Sequence, residues 1–483
     1  MAAINLRKAG FTGSLLGQES PEFAPASHRF SAISERKARF IAFPKSAQDV
    51  STAVVFATEF NLRIAIKCGG HHASGSNSVE DGLVIDLGDL KYVHVNEKDN
   101  SVNVAGGCVW GDIYPVLRDH SIVCVGGGVH DVGVGGHLTG GGFGPLTHKF
   151  GMACDNVLSV KVVLADGRIV VANEEENYDL FWAIKGGTSQ FGVVTEFTLR
   201  TFPDPGPFYF RSIGIRSEDL SALIPRYEDF IHKRHGWEDG MLVFLGFLRK
   251  LPENIPLIVA NITGLGSVNQ HAELFSSLFD GITPIFDHFT DCPSPVEISH
   301  VMDDLLLGGP RRIATAGVPI TAIAPGLLQN VWNRWLNYTT SNPDSVTTKI
   351  VFELHGTKRY RPELSCIPVQ SPVHHMVLIS EEHNNAVGDD RALDWVREIS
   401  AHIRRQHTLH TGKDLGLHAN GCMSDQKVEH LWGQNLPRLR RVKVSLPGFK
   451  STGCVLMCPA KAKYDPTCIF DRGWHIDPDF AKL

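Results

Sequence analysis

The stretch Leu62-Arg63-Ile64-Ala65-Ile66-Lys67-Cys68-Gly69-Gly70-His71-His72-Ala73-Ser74-Gly75 opens as an apolar run and breaks at a Gly-Gly pair that delivers a histidine. The run reads as a strand, and the glycines read as its turn. Further along lies a second dense stretch, Gly133-Val134-Gly135-Gly136-His137-Leu138-Thr139-Gly140-Gly141-Gly142-Phe143-Gly144. Glycine has no Cβ and tolerates positive φ, so backbone N–H groups in such loops can approach an anionic ligand closely. The first loop therefore reads as a diphosphate cradle formed by Cys68, Gly69, Gly70, His72, Ala73 and Ser74, with His71 as a nucleophile at its mouth. The second reads as a wall against a flat ring, carried by Gly133, Gly136, His137, Gly140, Gly141 and Gly144. Together they predict a flavin as the cofactor. A nicotinamide fingerprint would need a strand before the glycines, a long helix opening on them and an acid about twenty residues later. The second loop has no convincing strand, no such helix and no such acid, so the flavin reading stands.

The bulk numbers fit this. With 483 residues the chain is long enough for two domains or one large composite. The 46 basic and 52 acidic residues leave a net charge of −6, which does not point to nucleic acid or an anionic membrane as a partner. No segment approaches the roughly 18 apolar residues of a membrane span. Charge at Arg7 and Lys8 falls where the apolar core of a signal peptide would lie, so a cytoplasmic location is expected. The 10 cysteines show no repeated short spacing, and Cys454 and Cys458 have no matching pair, so reduced thiols and no metal site are expected. His71 and His72 are neighbours and cannot easily face one ion, and no third ligand follows nearby.

Along residues 38–205, short β-branched runs alternate with Gly, Asp and Asn turns. Strands are predicted at 83–87, 93–95, 101–105, 160–164 and 169–172, and helices at 50–60 and 110–119. Pro203-Asp204-Pro205-Gly206-Pro207 is a breaker cluster and a natural boundary. Beyond it, strands are predicted at 208–213, 241–248, 257–263, 345–354 and 374–379, with helices at 217–234, 270–279, 327–338 and 391–406. The fold class is α+β, divided as 1–205, 206–415 and a C-terminal segment 416–483.

These motifs, in this order, resemble the FAD-linked oxidoreductases that include berberine bridge enzyme and 6-hydroxynicotine oxidase. The resemblance continues through Gly82-Leu83-Val84-Ile85-Asp86-Leu87, Ala105-Gly106-Gly107-Cys108-Val109-Trp110-Gly111, Asp155-Asn156-Val157-Leu158-Ser159-Val160 and Ala165-Asp166-Gly167. It runs on through Asp179-Leu180-Phe181-Trp182-Ala183 and Gly186-Gly187-Thr188-Ser189-Gln190-Phe191-Gly192-Val193-Val194-Thr195. It implies a two-subdomain PCMH-type FAD-binding domain over 1–205. It also implies a substrate domain over 206–415, an antiparallel sheet backed by helices, and a tail that returns to the FAD domain. By position His71 is the covalent attachment residue. Many relatives tether the flavin a second time, through a cysteine six residues before the second Gly-Gly-His. Here that place is held by Val129, so a single link is implied. Asn156, Gly192 and Val194 match positions lining the adenine or ring side of the cofactor.

For catalysis the resemblance points to His418-Ala419-Asn420 and to Phe352-Glu353-Leu354-His355. His418 stands where relatives carry a tyrosine, and Asn420 beside it matches a flavin-side position. Strand alternation puts Glu353 and His355 on one face, where they could orient a substrate or relay its proton. The implied activity is hydride removal from an alcohol, amine or activated carbon of a small molecule, with dioxygen or another acceptor reoxidising the flavin. Secondary metabolism is the first expectation for it. A lactone-forming carbohydrate oxidase and a flavin-binding protein without turnover are the alternatives, and the chain is expected as a monomer or dimer. One departure stands out: residues 444–461 interrupt a run that without them would read Arg440-Arg441-Val442-Lys443 straight into Ala462-Lys463-Tyr464-Asp465-Pro466. The insert is either a surface loop or an unspliced intron, and a transcript read across it separates the two.

Overall fold

The computed structural model describes residues 6–233, 241–266, 278–303, 312–354, 362–368, 375–443, 464–465 and 469–476. Three of the features above lie outside them: His355, the insert 444–461, and the greater part of the helix predicted at 270–279.

Near the N-terminus, β1 (Ser14–Gly17), β2 (Phe40–Phe43), β3 (Ile64–Lys67) and β4 (Leu83–Asp86) form a sheet in the order β1-β2-β4-β3. The β2–β4 and β3–β4 pairs are parallel, and the helix Ala47–Glu59 makes the crossover between β2 and β3. Ser46 starts that helix by accepting the Asp49 N–H at 3.0 Å, which satisfies an orphan donor of its first turn. β4 is buried along its whole length, and its first three residues are an unbroken apolar run that ends at Asp86, paired with Lys67.

The next strands, β5 (Val93–Asn96) and β6 (Ser101–Ala105), precede the helix Trp110–Asp119 and a two-residue β7 (Ile122–Val123). Then come β8 (Val157–Val163), β9 (Ile169–Asn173) and β10 (Val193–Arg200), giving an antiparallel sheet ordered β5-β6-β10-β8-β9. At the boundary, β11 (Phe202–Pro203) pairs with β7, and the breaker cluster then leads out of this region.

The remaining strands are β12 (Phe208–Arg216), β13 (Met241–Lys250), β14 (Ile255–Leu265), β15 (Phe286–Cys292), β16 (Arg312–Ile320), β17 (Lys349–Leu354) and β18 (His375–His383). They make one antiparallel sheet ordered β15-β12-β14-β13-β17-β18-β16. Helices Leu220–Lys233, Leu327–Ser341 and Asp389–Thr411 accompany it. Alternation sorts its side chains: Phe247 packs with Phe352 and with Trp332 and Trp335 of the Leu327–Ser341 helix, while Phe244, Val351 and Glu353 face the opposite way, into a cavity.

Strands β1, β2, β7, β10 and β11 are not anticipated from sequence, and within the seven-stranded sheet neither are β15 and β16, both of which are edges. β15 is polar and exposed along most of its length, and β16 carries Gly317 and Pro319. Proline removes a ladder donor and glycine weakens a strand, so both belong at edges, and the pattern they leave is not strand-like. β17 starts at Lys349 rather than 345 because Pro343–Ser345 forms a 3-10 turn. Among the described residues no helix is long and apolar enough to cross a membrane.

The tail returns to the N-terminal half. Trp432 Nε1 donates to Gly186 O at 3.0 Å, Gln190 Nε2 to Arg472 O at 3.0 Å, and Tyr464 Oη to Asp179 at 2.6 Å.

Candidate active site

Between the two glycine loops and the seven-stranded sheet lies a cavity of about 530 Å³. Of the residues singled out in the sequence, it gathers His71, Cys68, Gly69, Gly70, His72, Val129, Gly133, Gly136, His137, Gly144, Gly192, Val194, Glu353, His418 and Asn420. The two loops meet backbone to backbone. A Cβ on Gly69 would stand 2.5 Å from Gly133 N, and one on Gly133 would overlap Gly69 N in turn. Gly70 turns the chain at φ +77°, a conformation side chains disfavour. A Cβ on Gly136 would meet nothing within 4 Å, so this backbone is bare toward open space.

His71 stands at the rim, stacked on Phe30 at 4.7 Å, with Nε2 3.0 Å from an Asp131 oxygen. His72 turns away from it. Its Nε2 donates to Ala419 O at 2.8 Å, its Nδ1 accepts the Ser74 N–H at 3.2 Å, and its ring meets the Trp474 face edge-on at 5.5 Å. Burial pushes this imidazole below its ordinary pKa although the Ala419 bond opposes it, so His72 is a neutral clamp between the first loop and the tail. His137 is likewise driven down to about 4, first by burial, with its Nε2 on Phe143 O at 3.0 Å. The Cys68 thiol is pushed up to about 11 by burial and points at Cys108 O.

Five expected cofactor contacts are not on the cavity wall. Ala73 packs in the core, and Ser74 holds its own loop through Ser76 N. Asn156 is spent on the backbone, donating to Phe150 O at 2.9 Å and Met152 O at 3.0 Å, because it closes the turn before β8. Gly140 and Gly141 act by making room. Asn420 lies over Gly140, donating to Gly136 O at 2.9 Å and accepting from Gly142 N at 3.2 Å, and His418 Cε1 would stand 3.1 Å from a Cβ on Gly141. His418 is anchored by its backbone N–H to Gly317 O at 2.9 Å and meets Phe143 edge-on at 5.0 Å.

Sequence reading missed Asp131, Asn77, Thr188 and Trp474. The last three line the cavity, and Asn77 Oδ1, Thr188 Oγ1 and Trp474 Nε1 are buried without a hydrogen bond among the described residues. Buried polar groups are nearly always paired, so three of them on one cavity call for a polar ligand. With the bare Gly136 backbone, this chain's residues fit a dinucleotide-sized flavin. The first loop, Asn77 and Thr188 would hold the nucleotide part, and residues 133–144 the ring.

The sheet forms the roof, and its face is mostly apolar: Phe210, Leu242, Phe244, Val259, Val351 and Met376 are typical. Its polar members are few. Lys349 is paired with the buried Glu382, and Asn261 accepts from Ser212 Oγ at 2.7 Å. Glu353 faces the same cavity. Its side chain is half-buried by area yet surrounded by protein, and burial pushes its carboxyl up to about 8.

At the seam between the second loop and the sheet, His130 and His300 stack at 4.1 Å and each places Nδ1 on a different oxygen of Asp303, at 3.1 and 2.7 Å. This trio has metal-ligand chemistry, and distance along the chain hid it from sequence reading. With both carboxylate oxygens already engaged, it closes as a hydrogen-bonded latch.

Residues 38–173 match the family model described as FAD binding domain. The chain is 36% identical over 203 residues to the FAD-linked oxidoreductase pgmH of Aspergillus terreus, covering 42% of this chain and 41% of that one. The chain thus spans about two fifths of that curated relative. Among solved structures, the BBE-like 1 protein of Physcomitrella patens superposes with a TM-score of 0.79 at 18% identity, covering 99% of both chains. The xylooligosaccharide oxidase of Myceliophthora thermophila superposes at 0.80 with 22% identity, again over 99% of both. The chain thus carries an FAD-binding domain over residues 38–173, is similar over part of its length to FAD-linked oxidoreductases, and shares along its whole length the fold of the BBE-like protein.

Proposed function

We propose that this protein is an FAD-dependent oxidoreductase that removes hydride from an apolar small molecule bearing an alcohol, amine or activated C–H. The flavin is attached once, through His71. The observation that carries the reading is Glu353, a carboxyl held on an apolar sheet face across the cavity from the glycine loops. When bound, the flavin supplies the hydride acceptor. The chain's own work is to pack the substrate against Phe210, Leu242, Phe244 and Met376 and to exclude water. Glu353 in its ionised form takes the proton from the group being oxidised. His418 borders the same space from the tail and is the second candidate for that proton.

The apolar roof argues against the carbohydrate oxidase alternative. A sugar leaves several hydroxyls to be paired, and a site that cannot pair them binds it poorly. Flavin binding without turnover is disfavoured by a carboxyl with a raised pKa that faces the cavity. The described cysteines are free thiols, which supports a reducing, cytoplasmic setting and a role in metabolite tailoring.

The test is anaerobic bleaching of the flavin absorbance by a panel of aromatic alcohols, amines and natural-product phenols beside xylobiose and cellobiose. Bleaching by members of the first group alone is expected. Bleaching by the sugars would move the assignment to carbohydrate oxidation, and no bleaching by either group would favour a protein that binds flavin without turning over.

A further inference from the structure

We infer that Asp131 is the positioning residue for flavin attachment: by accepting the Nε2 proton of His71 it makes Nδ1 the nucleophile. The inference rests on the proposed attachment at His71 and concerns how that bond forms.

The pair is built rather than incidental. Asp131 belongs to the second loop and His71 to the first, and the loops are in backbone contact, with a Cβ on Gly69 predicted to lie 2.9 Å from Asp131 O. On either side of the aspartate, His130 O accepts Gly111 N–H at 2.7 Å and Val132 O accepts Trp110 N–H at 3.2 Å, so its backbone is pinned to the start of the Trp110–Asp119 helix. The imidazole plane is fixed by stacking on Phe30, whose own N–H donates to Gly70 O at 3.1 Å. An ionised carboxylate can only accept, so the 3.0 Å contact places the proton on Nε2 and leaves the Nδ1 lone pair free. Nδ1 has no hydrogen bond among the described residues, and His71 lines the cavity.

The charge state agrees. Burial works to raise the Asp131 carboxyl, yet the His71 bond and the nearby His71 and His130 rings outweigh it and keep it below the ordinary carboxylate range. Among the described residues its other oxygen has no side-chain partner, and His71 is the side chain that the carboxylate hydrogen-bonds.

In the attachment step a bond forms between Nδ1 and the carbon of a ring methyl group of oxidised flavin. One C–H bond of that methyl group breaks. The imidazole, which becomes cationic as it bonds, gives up its Nε2 proton toward Asp131. The flavin ring takes the electron pair and, through solvent, both protons. Dioxygen then removes the pair with two protons as hydrogen peroxide, which restores the oxidised cofactor. Asp131 offsets the positive charge while the bond forms, as a hydrogen-bonded carboxylate does for an imidazole acting as a base.

The test uses the full chain produced under riboflavin limitation and then supplied with FAD. Covalent attachment is followed as fluorescence that survives denaturation, and non-covalent uptake as quenching of FAD fluorescence. Asp131→Asn is expected to attach about 10²-fold more slowly, the low end of a general-base contribution, with uptake unchanged. Asp131→Glu is expected to recover part of the rate. Attachment by Asp131→Asn at the wild-type rate would overturn the inference. So would a loss in which uptake falls in step and Asp131→Glu rescues nothing, since that is a structural role. A wild-type chain that takes up FAD but never retains it after denaturation would instead overturn the attachment at His71.

Discussion

His71→Ala protein is expected to be yellow when native and to lose all flavin fluorescence once denatured, while wild type keeps a fluorescent band on a denaturing gel. The loss is expected to be complete because the described residues of the cavity offer no second tether. Val129 occupies the place where relatives carry a second attachment cysteine, and the cysteine that lines the wall is Cys68. With its thiol pushed to about 11, Cys68 is a thiolate in only about one molecule in 10⁴ at pH 7. The colour of the native variant should persist, because the backbone contact of Gly69 with Gly133 and the unpaired atoms of Asn77 and Thr188 remain. Fluorescence surviving in the variant would mean that another residue forms the bond and would remove the argument built on Val129.

Glu353→Gln is expected to lower kcat by about 10²- to 10⁴-fold, the range for loss of a positioned general base, while the flavin spectrum and the covalent band stay as in wild type. The pH dependence has a definite sign. The base must be ionised, and the Glu353 carboxyl titrates at about 8 in the folded protein, so wild-type kcat/KM should climb through neutral pH and level off above about 8. Stability should run the opposite way. A carboxyl whose folded pKa lies above its ordinary 4.5 binds more protons folded than unfolded. It therefore favours the fold most below about 4.5, and that contribution is lost as pH rises through about 8. Melting curves of Glu353→Gln should lack this decline, so the variant gains on wild type at pH 9 relative to pH 5. His418→Ala is the internal comparison. If it abolishes turnover while Glu353→Gln retains it, the proton passes to His418 instead.

The second prediction depends on a residue the sequence could place only on a strand face. Alternation put Glu353 on the same side as His355, and the structure turns that side of β17 to the cavity, with Val351 beside it. Alternation alone cannot say which face of a sheet meets ligand and which meets helices. That is decided by where Trp332 and Trp335 pack, on the Phe352 side, and it makes the other face the roof. The side chain of Asn156 is turned to the chain's own backbone. Its position in a family-like motif suggested cofactor contact, yet both its amide hydrogens are taken by the backbone of the preceding turn, a need the one-dimensional pattern does not display.

What the sequence determined by itself was the part of the site made of contiguous chain. A Gly-Gly-His turn after a strand and a run of glycines impose their backbone geometry locally, through absent Cβ atoms and allowed positive φ, so the two loops, the flavin and the α+β class could be read residue by residue. What only the tertiary structure decided was convergence: Asp131 onto His71, Asn420 onto the second loop, Asn77, Thr188 and Trp474 around one cavity, and an apolar sheet face above them. These pairings join segments far apart in the chain, and they are settled by long-range packing and burial, to which no local pattern of residues responds.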